Sequence, residues 1–550
     1  MDAINVAVTH GCKGGGKRGF TSTLELQRVS LELCRSCRSV PSWHVYVNNA
    51  TPTSMWRALE PRNPPFKRRS KDRVLSRIPV VRALRLTWAL PAEILQREAA
   101  TEIWTSLEYL QVDESCSERS LMPRLWPAGL QQLVLDVDVG PNVKAGFWPA
   151  SLERLSFGWH FDKPVARVLW PTSLKQLSFG HAFNQPIGGV SWPSSLEILS
   201  LGCLFNQTIM GVVWPTSLRQ LMFGASFNQA IAGVRWPASL QWLSFGNSFD
   251  HPIAEVVWPI SLQHLSFGDS FDKPVGEVVW PDSLRKLQFG NSFKQPVNGH
   301  VWPTALRELS LGGTQDFFMH PVAEAVWPVF LQQLSLGHSF NSSIASVVWP
   351  ATLKQLSFGK RFNRPIAGVS WPDSLEQLSF GERFNEDVYD VVWPASLQQL
   401  KFGWEFNRNI CGVEWPALLK RLAFGGKFNQ PIAGNKPPGS VRRRAFGSHF
   451  FEPQPYISFR ELFREPMKVK WPASLEQLSF GRDFNQPIIG VKWPTSLKQL
   501  SFGKKFNQPV DGVTWPASLE RQLSFGAGFH QPIVGDVWRA SVLFWIHIKD

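Results

Sequence analysis

The apolar residues of this chain of 550 residues recur in one pattern that repeats every 22 positions. In the copy that spans residues 170–191, apolar side chains fall at Leu174, Leu177 and Phe179, with the polar Ser178 between the last two. Alternation with a period of two over so short a run is typical of a strand that is buried on one face. The pattern predicts one short strand per copy, with Leu177 and Phe179 inward and Gln176 on the open face.

A Trp-Pro pair marks the copies and recurs seventeen times, first at Trp126 and last at Trp515. The spacing lengthens to 25 residues before Trp327, and the pattern degenerates over residues 436–470. Such uniform repeats override the expectation of several compact domains, because stacked copies extend along one axis. We expect about 20 coils over residues 78–550, with a degenerate or looped-out part at 436–470.

The remaining positions of each copy predict how the chain returns to the next strand. Gly180 ends the strand at a tight turn where a side chain would be unwelcome. Asn184 can bond to exposed backbone in that turn, and stacked copies would form an asparagine ladder. Pro171 and Pro186 interrupt any long helix, so little helix is expected.

Each coil offers seven apolar groups that we expect to point inward. They offset only part of the entropy cost of ordering 22 residues, so a lone coil should not fold and neighbouring coils must bury each other's faces. In the copy quoted above these groups are Trp170, Leu174, Leu177, Phe179, Phe183, Ile187 and Val190.

The stretch Phe179-Gly-x-x-Phe183-Asn-Gln-Pro-Ile187, preceded by Pro-x-Ser-Leu-x-x-Leu, resembles the FNIP repeat, a 22-residue relative of leucine-rich repeats. The resemblance covers about four-fifths of the chain and departs consistently in having Trp-Pro where FNIP repeats have Ile-Pro or Leu-Pro. It implies a leucine-rich-repeat-like solenoid that is mainly β, with short parallel strands, one per 22-residue coil, and little helix. It supplies no catalytic residues.

The formal net charge of +14 is concentrated in two segments. Residues 1–77 hold 14 Lys and Arg against 5 Asp and Glu, and residues 436–470 hold 8 against 3. The remaining residues, 78–435 and 471–550, hold 35 against 35, so the array lacks the broad basic stripe that phosphate backbones require. Nucleic-acid association would have to reside in these two basic segments, of which residues 1–77 are expected to be a basic N-terminal segment, with folded and disordered states as the open alternatives.

Several short motifs resemble functional sites, but each also has a simpler structural interpretation. Residues 11–18 nearly form a Walker A loop, but Arg18 replaces the hydroxyl that holds magnesium, so a basic tail is favoured. Cys34 and Cys37 have the spacing of half a zinc site without a second pair. The basic run at 66–73 could be an import signal but is favoured as a solvated linker. Residues 90–95, within an F-box-like segment near 90–110, would make the protein a substrate-recognition subunit of a ubiquitin ligase, whereas a divergent first coil fits the space better.

Catalysis finds little support, because no Ser-His-Asp or paired-carboxylate constellation recurs at fixed offsets. No cofactor or metal is predicted. Six scattered cysteines favour a reducing compartment, and no apolar run is long enough for a membrane span, so we expect a cytoplasmic protein, with the nucleus as the alternative.

The main hypothesis is a non-catalytic protein–protein interaction scaffold whose partners are proteins. The open strand face has a background of Gln and Ser, and aromatic or cationic residues that break it are the types that anchor partners. Variable pairs inside the Phe-Gly-x-x-Phe motif, such as Lys360 with Arg361, form a second candidate rim, with drift among redundant copies as the alternative explanation. On the strand face the candidates are Trp242, His264, Lys286, Lys401 and Arg421.

Overall fold

The structure is a computed structural model whose described residues fall into two compact units, treated separately below. The first unit comprises residues 1–251 with 256–262, and the second comprises residues 252–255 with 263–550. The structure describes residues 43–47, 81–86, 107–112, 126–136, 148–312, 321–433, 469–519, 522–532 and 546–549.

The described part of the first unit holds nine strands, each paired in parallel with the next along the chain. The residues of neighbouring strands align one repeat apart, so that Leu177 lies opposite Leu155 and Leu199. The strands are β1 Trp43–Val47, β2 Val81–Leu86, β3 Tyr109–Val112, β4 Gln132–Leu135, β5 Arg154–Phe157, β6 Gln176–Ser178, β7 Ile198–Ser200, β8 Gln220–Met222 and β9 Trp242–Ser244.

The described part of the second unit holds twelve strands in the same parallel order. They are β10 His264–Ser266, β11 Lys286–Gln288, β12 Glu308–Leu311, β13 Gln333–Leu336, β14 Gln355–Ser357, β15 Gln377–Ser379, β16 Gln399–Lys401, β17 Arg421–Ala423, β18 Gln477–Ser479, β19 Gln499–Ser501, β20 Gln522–Gly526 and β21 Ile546–Lys549.

The prediction of a leucine-rich-repeat-like, mainly β solenoid is confirmed. The structure is a parallel β-solenoid of about 16 turns, and no helix occurs among the residues just given. For the same part of the chain, no helix is long and apolar enough to cross a membrane. β1 lies inside the basic segment 1–77, and the rest of that segment lies outside the described residues.

Each coil closes through three tight turns. In the coil of β6, the amide of Leu174 donates to the carbonyl of Pro171 at 3.1 Å, and the amide of Phe183 donates to Gly180 at 3.3 Å. The third turn runs from Ile187 to Val190 and contains Gly189 at a φ of +78°, a conformation that favours glycine. Three turns separated by short extended segments bring the chain back to the next strand without a helix.

The predicted core is confirmed in every member of the quoted copy. Leu174, Phe183 and Ile187 are completely buried, and Trp170, the most exposed of the seven, retains only 8% of its surface. The aromatic rings of successive coils stack on one another, with Phe157 and Phe179 at 5.5 Å between ring centroids. The hydrophobic interior is therefore a set of continuous columns that neighbouring coils share.

The Trp-Pro departure from the FNIP pattern produces a column of indole rings. Trp148, Trp170 and Trp192 stack with centroids 6.2 and 6.4 Å apart and planes within 13° of parallel. The same stacking recurs in the second unit, where Trp471 and Trp493 lie 6.2 Å apart. The indole rings thus form part of the core at one corner, and the strands of these coils keep their parallel register.

The glycine that follows each strand is required by the close approach of adjacent coils. A Cβ atom added at Gly180 would lie 1.7 Å from the carbonyl oxygen of Gly158. The same clash recurs at Gly381, where the distance to the carbonyl oxygen of Gly359 would be 1.6 Å. A side chain at this position would have to push two backbones apart, as the sequence predicted.

The predicted asparagine ladder is present and links neighbouring coils. The backbone amide of Asn206 donates to Oδ1 of Asn184 at 2.8 Å, and the amide of Asn184 donates to Oδ1 of Asp162 at 2.9 Å. The following glutamine adds a second bond, because Nε2 of Gln185 donates to the same Asp162 oxygen. Each side-chain oxygen of the ladder therefore accepts from the coil that comes next.

A serine ladder that the sequence analysis did not identify runs beside the strands. The hydroxyl of Ser195 donates to the carbonyl of Leu174 in the preceding coil at 2.8 Å, and Ser173 donates likewise to Leu152 at 2.7 Å. The repeated Pro-x-Ser-Leu motif could have indicated this ladder, because most copies carry Ser or Thr, and therefore a hydroxyl, at this position. The serine satisfies a carbonyl that the tight turn leaves free.

The ladders continue between strands that are separated by more than one repeat in sequence. β17 pairs with β18 in the usual register, with Leu422 opposite Leu478. The amide of Asn485 donates to Oδ1 of Asn429 at 2.9 Å, the same length as the rungs between consecutive copies. Residues 434–468, which contain most of the predicted degenerate part, lie outside the described residues.

Candidate functional site

A groove of about 530 Å³ runs along the open face of the strands from β14 to β20 in the second unit. The first and third residues of each strand point their side chains into the groove, and the middle leucines, whose side chains are buried, also contribute to its lining. Most of these residues are the Gln and Ser of the repeat background, such as Gln377 and Ser379. Most strands therefore contribute one amide and one hydroxyl side chain to the groove.

Two cations, Lys401 and Arg421, are the charged members of this lining, and both are exposed. Register places Lys401 between Ser379 and Ala423 on the flanking strands. Arg421 lies between Gln399 and Gln477 in the same way. Their lateral neighbours are thus neutral, and within the described part of the chain neither side-chain cation forms an ion pair.

Lys401 and Arg421 differ in this respect from the lysines of the array that form ion pairs. Elsewhere, a lysine commonly pairs with an acid one coil away, as Lys175 does with Glu153 at 2.7 Å and Lys498 with Glu476 at 3.2 Å. Exposed pairs of this kind stabilise the fold by less than about 1 kcal/mol each, but they cancel the local charge. The lining of the groove between β14 and β20 therefore contains two positive charges and no negative one.

The candidate Lys286 differs from these two cations because it has a partner. Its Nζ lies 2.8 Å from Oε2 of Glu308, which register places directly opposite on β12. His264 lies on the other side of Lys286 on β10. Burial, and secondarily the charge of Lys286, lower the pKa of His264 below its ordinary value of 6.5, so the imidazole is neutral at pH 7.

The candidate Trp242 belongs to the first unit, where it begins β9 opposite Gln220. Its side chain is 37% exposed, so the indole presents a sizeable apolar surface next to the amides of the strand face. Within the second unit, the structure does not bring the other four candidates into one site. It places Lys401 and Arg421 in a single groove, and it places Lys286 and His264 on adjacent strands.

The sequence analysis took the Gln and Ser of the strand face as background and named only the residues that break it. The structure shows that this background forms most of the groove lining. Comparing the same position in consecutive copies could have found the distinction between Lys286 and Lys401, since Glu308 follows the first by one repeat and Ala423 follows the second.

Other predicted motifs lie outside the described residues. These are the Walker A-like stretch 11–18, the Cys34 and Cys37 pair, the basic run 66–73 and the F-box-like residues 90–95. Among the residues that the structure does describe, no group of three His, Cys, Asp or Glu side chains could hold a metal ion.

Comparison with known proteins supports the interpretation of the repeat. The FNIP Repeat profile matches at six positions, and no protein of curated function matches the sequence. The matched residues are 168–204, 205–248, 271–314, 362–405, 468–505 and 484–528.

Among solved structures, the chain is similar to CroV588, described as a novel circular LRR protein, with 35% identity and a TM-score of 0.64. The similarity covers 81% of this chain and 60% of that one, so this chain spans well under the full length of its relative. An internalin (inlF) from Listeria monocytogenes matches at 14% identity over 64% of this chain and 84% of its own, with a TM-score of 0.36.

The solenoid with leucine-rich-repeat relatives is a fold typical of non-enzymatic scaffolds. Its repeat periodicity, its asparagine ladder and the six profile matches agree with one another. Residues 168–248, 271–314, 362–405 and 468–528 are therefore FNIP repeats.

Proposed function

We propose that this protein is a non-catalytic interaction scaffold that binds an extended, acidic segment of a partner protein in the groove above β14–β20. The observation that carries the proposal is the presence of Lys401 and Arg421, without an ion-pair partner in the described residues, in a groove whose lining is mostly Gln and Ser and contains no acid. An extended peptide offers backbone groups to the Gln side chains and carboxylates to the two cations.

The chemistry of the groove fits a polypeptide better than a reacting substrate. Its floor repeats the same polar groups at the spacing of parallel strands, about 4.8 Å, so it offers many similar contacts along a line. The groove has no acid or histidine in its lining that could serve as a general base. The proposal places the protein in the cytoplasm, or in the nucleus, and two free thiols, at Cys203 and the buried Cys411, fit a reducing compartment.

The test is affinity purification of the full chain beside the charge-reversal variant K401E/R421E, with nuclease present and at two salt concentrations. A matched control is R285E/R307E, which changes the same charge on two neighbouring coils at residues that do not line the groove. A discrete partner should be retained by the wild type and the control and lost, at least tenfold, by K401E/R421E. Equal recovery by all three proteins would refute the groove as the binding surface.

A purified pair then gives the sharper measurement. Neutralisation to K401Q/R421Q should weaken binding about tenfold and flatten its dependence on salt, since each exposed charge contact contributes about 0.2–1 kcal/mol. An unchanged salt dependence would show that the two cations do not face the partner.

A further inference from the structure

A second cavity, of about 520 Å³, lies in the second unit at the corner formed by the asparagine ladder. Its wall is formed by two arginines, three asparagines of consecutive coils and one glutamate. The lining residues are Asn341, Arg361, Asn363, Arg383, Asn385 and Glu405.

Arg361 and Arg383 occupy the same position in neighbouring coils, one repeat apart. Both side chains are exposed, and in the described part of the chain neither guanidinium forms a hydrogen bond or an ion pair. Coils stack at a spacing of about 4.8 Å, so two like charges are held on adjacent coils. Their mutual repulsion would be relieved by an anion that binds both.

In later coils, the residues at this position form ion pairs with each other. Glu405 pairs with Lys427, and Asp483 pairs with Lys505 at 2.9 Å, so the sign alternates from coil to coil. Arg361 and Arg383 break this alternation, because two cations follow each other. The glutamate of the cavity wall is neutralised by Lys427 and does not pair with Arg383 in this structure.

The asparagines of the wall present donors rather than acceptors. Oδ1 of Asn341 accepts from the amide of Asn363, and Oδ1 of Asn363 accepts from the amide of Asn385, each at 2.8 Å. Oδ1 of Asn385 accepts from Asn407 at 2.9 Å. With the oxygens engaged, the Nδ2 groups are the side-chain atoms available to a ligand, so the cavity offers two guanidinium forks beside amide donors.

We propose that this cavity is a binding site for a dianionic tetrahedral oxyanion, namely a phosphoryl group. A guanidinium donates two parallel hydrogen bonds to such an oxyanion, and two guanidiniums with adjacent amides supply more donors than the two oxygens of a carboxylate accept. The site is formed by the asparagine corner and not by the strand face, so it does not depend on the groove of Lys401 and Arg421.

The phosphoryl group could belong to free phosphate or to a phosphorylated side chain, and the two sources share this chemistry. The experiment uses the full chain and follows ³¹P line broadening during titration with inorganic phosphate and, separately, with O-phosphoserine. Acetate is the competitor that tests whether charge alone suffices. Binding of O-phosphoserine at least tenfold tighter than inorganic phosphate would identify a phosphorylated side chain as the source, and equal binding would identify the free ion.

The variant R361Q/R383Q should raise the Kd for phosphate at least tenfold, and R361K/R383K should raise it about threefold because lysine keeps the charge but loses the fork. R285Q/R307Q removes two arginines from neighbouring coils outside the cavity and should leave the Kd unchanged, as should K401Q/R421Q. Any of three results would overturn the proposal. These are no line broadening with the wild type, an equal loss of phosphate affinity in R285Q/R307Q, and competition by acetate at a concentration equal to that of phosphate. If a variant loses partner binding but keeps phosphate binding, or loses phosphate binding but keeps partner binding, then the phosphate site is independent of the groove in the proposed function.

Discussion

Replacement of Gly180 by alanine tests whether the coil spacing determines the stability of the array. The added Cβ would lie 1.7 Å from the carbonyl oxygen of Gly158 and 2.4 Å from its carbonyl carbon. Both atoms belong to the backbone of the preceding coil, so no side-chain rotation relieves the contact. The two coils must separate locally by about 1.5 Å to reach an ordinary van der Waals distance.

A separation of that size breaks the hydrogen bonds that join the two coils at this point. Four such bonds have lengths of 2.8–2.9 Å, and at about 1 kcal/mol each their loss predicts a destabilisation of about 4 kcal/mol. They run from the amides of Lys175 and Gln176 to the carbonyl of Glu153, from Ala182 to Trp159, and from Asn184 to Oδ1 of Asp162.

The same coil contains two matched controls. A Cβ at Gly188 would meet nothing within 4 Å, so G188A should be neutral or stabilise the fold by about 0.5 kcal/mol through the unfolded chain. Gly189 also has open space, but its φ of +78° is costly for alanine, so G189A should lose about 1–2 kcal/mol.

Urea unfolding followed by tryptophan fluorescence measures all three variants against the wild type. G180A should have the lowest midpoint and a broader or split transition, because each coil contacts only its neighbours and a weakened interface uncouples the two sides. If G180A and G188A unfold at the same urea concentration, the close approach of coils does not limit the stability of this array and the reasoning is refuted.

Two further predictions concern the ladder and the histidine at β10. Replacing Asn363 by alanine removes the acceptor of the Asn385 amide and should cost about 0.5–1.5 kcal/mol in urea unfolding, whereas N363D keeps the acceptor and should cost less; equal losses would contradict the acceptor role. Because burial and Lys286 lower the folded-state pKa of His264 beneath 6.5, the unfolded chain takes up the proton first, so stability should fall as the pH drops below about 6.5. H264Q should flatten that decline, and an unchanged pH profile would contradict the assignment.

The sequence predicted the strands, the inward residues and the glycine turn because each rests on local geometry that the repeat displays many times. Alternation at Leu177 and Phe179 determines which face is buried, and a position such as Gly180 reveals itself by recurring without a side chain. Asn184 was correctly expected to bond to backbone, but which coil supplies the donor depends on stacking geometry that a single copy does not display.

The candidate site was less accessible to sequence analysis because it depends on differences between copies. Lys286 is the first residue of β11 and Lys401 is the third residue of β16, and within their own copies both look equivalent as cations that interrupt a neutral background. The register shows that the first faces Glu308 and the second faces Ser379 and Ala423, which a single copy does not display. Whether the charge of a strand-face residue is compensated therefore depends on its own coil and on the two flanking coils.

The direct pairing of β17 with β18 has a consequence for engineering. The hydroxyl of Ser474 reaches the carbonyl of Leu419 at 2.8 Å across 55 positions of sequence, as other serines do across 21. The ladder hydrogen bonds thus depend on which coil is adjacent in space and not on the number of residues that connect the two coils. A folded reporter domain inserted between residues 434 and 468 should therefore leave the ladder hydrogen bonds between the flanking coils intact. One inserted domain could then be replaced by another without changing any residue of the ladders.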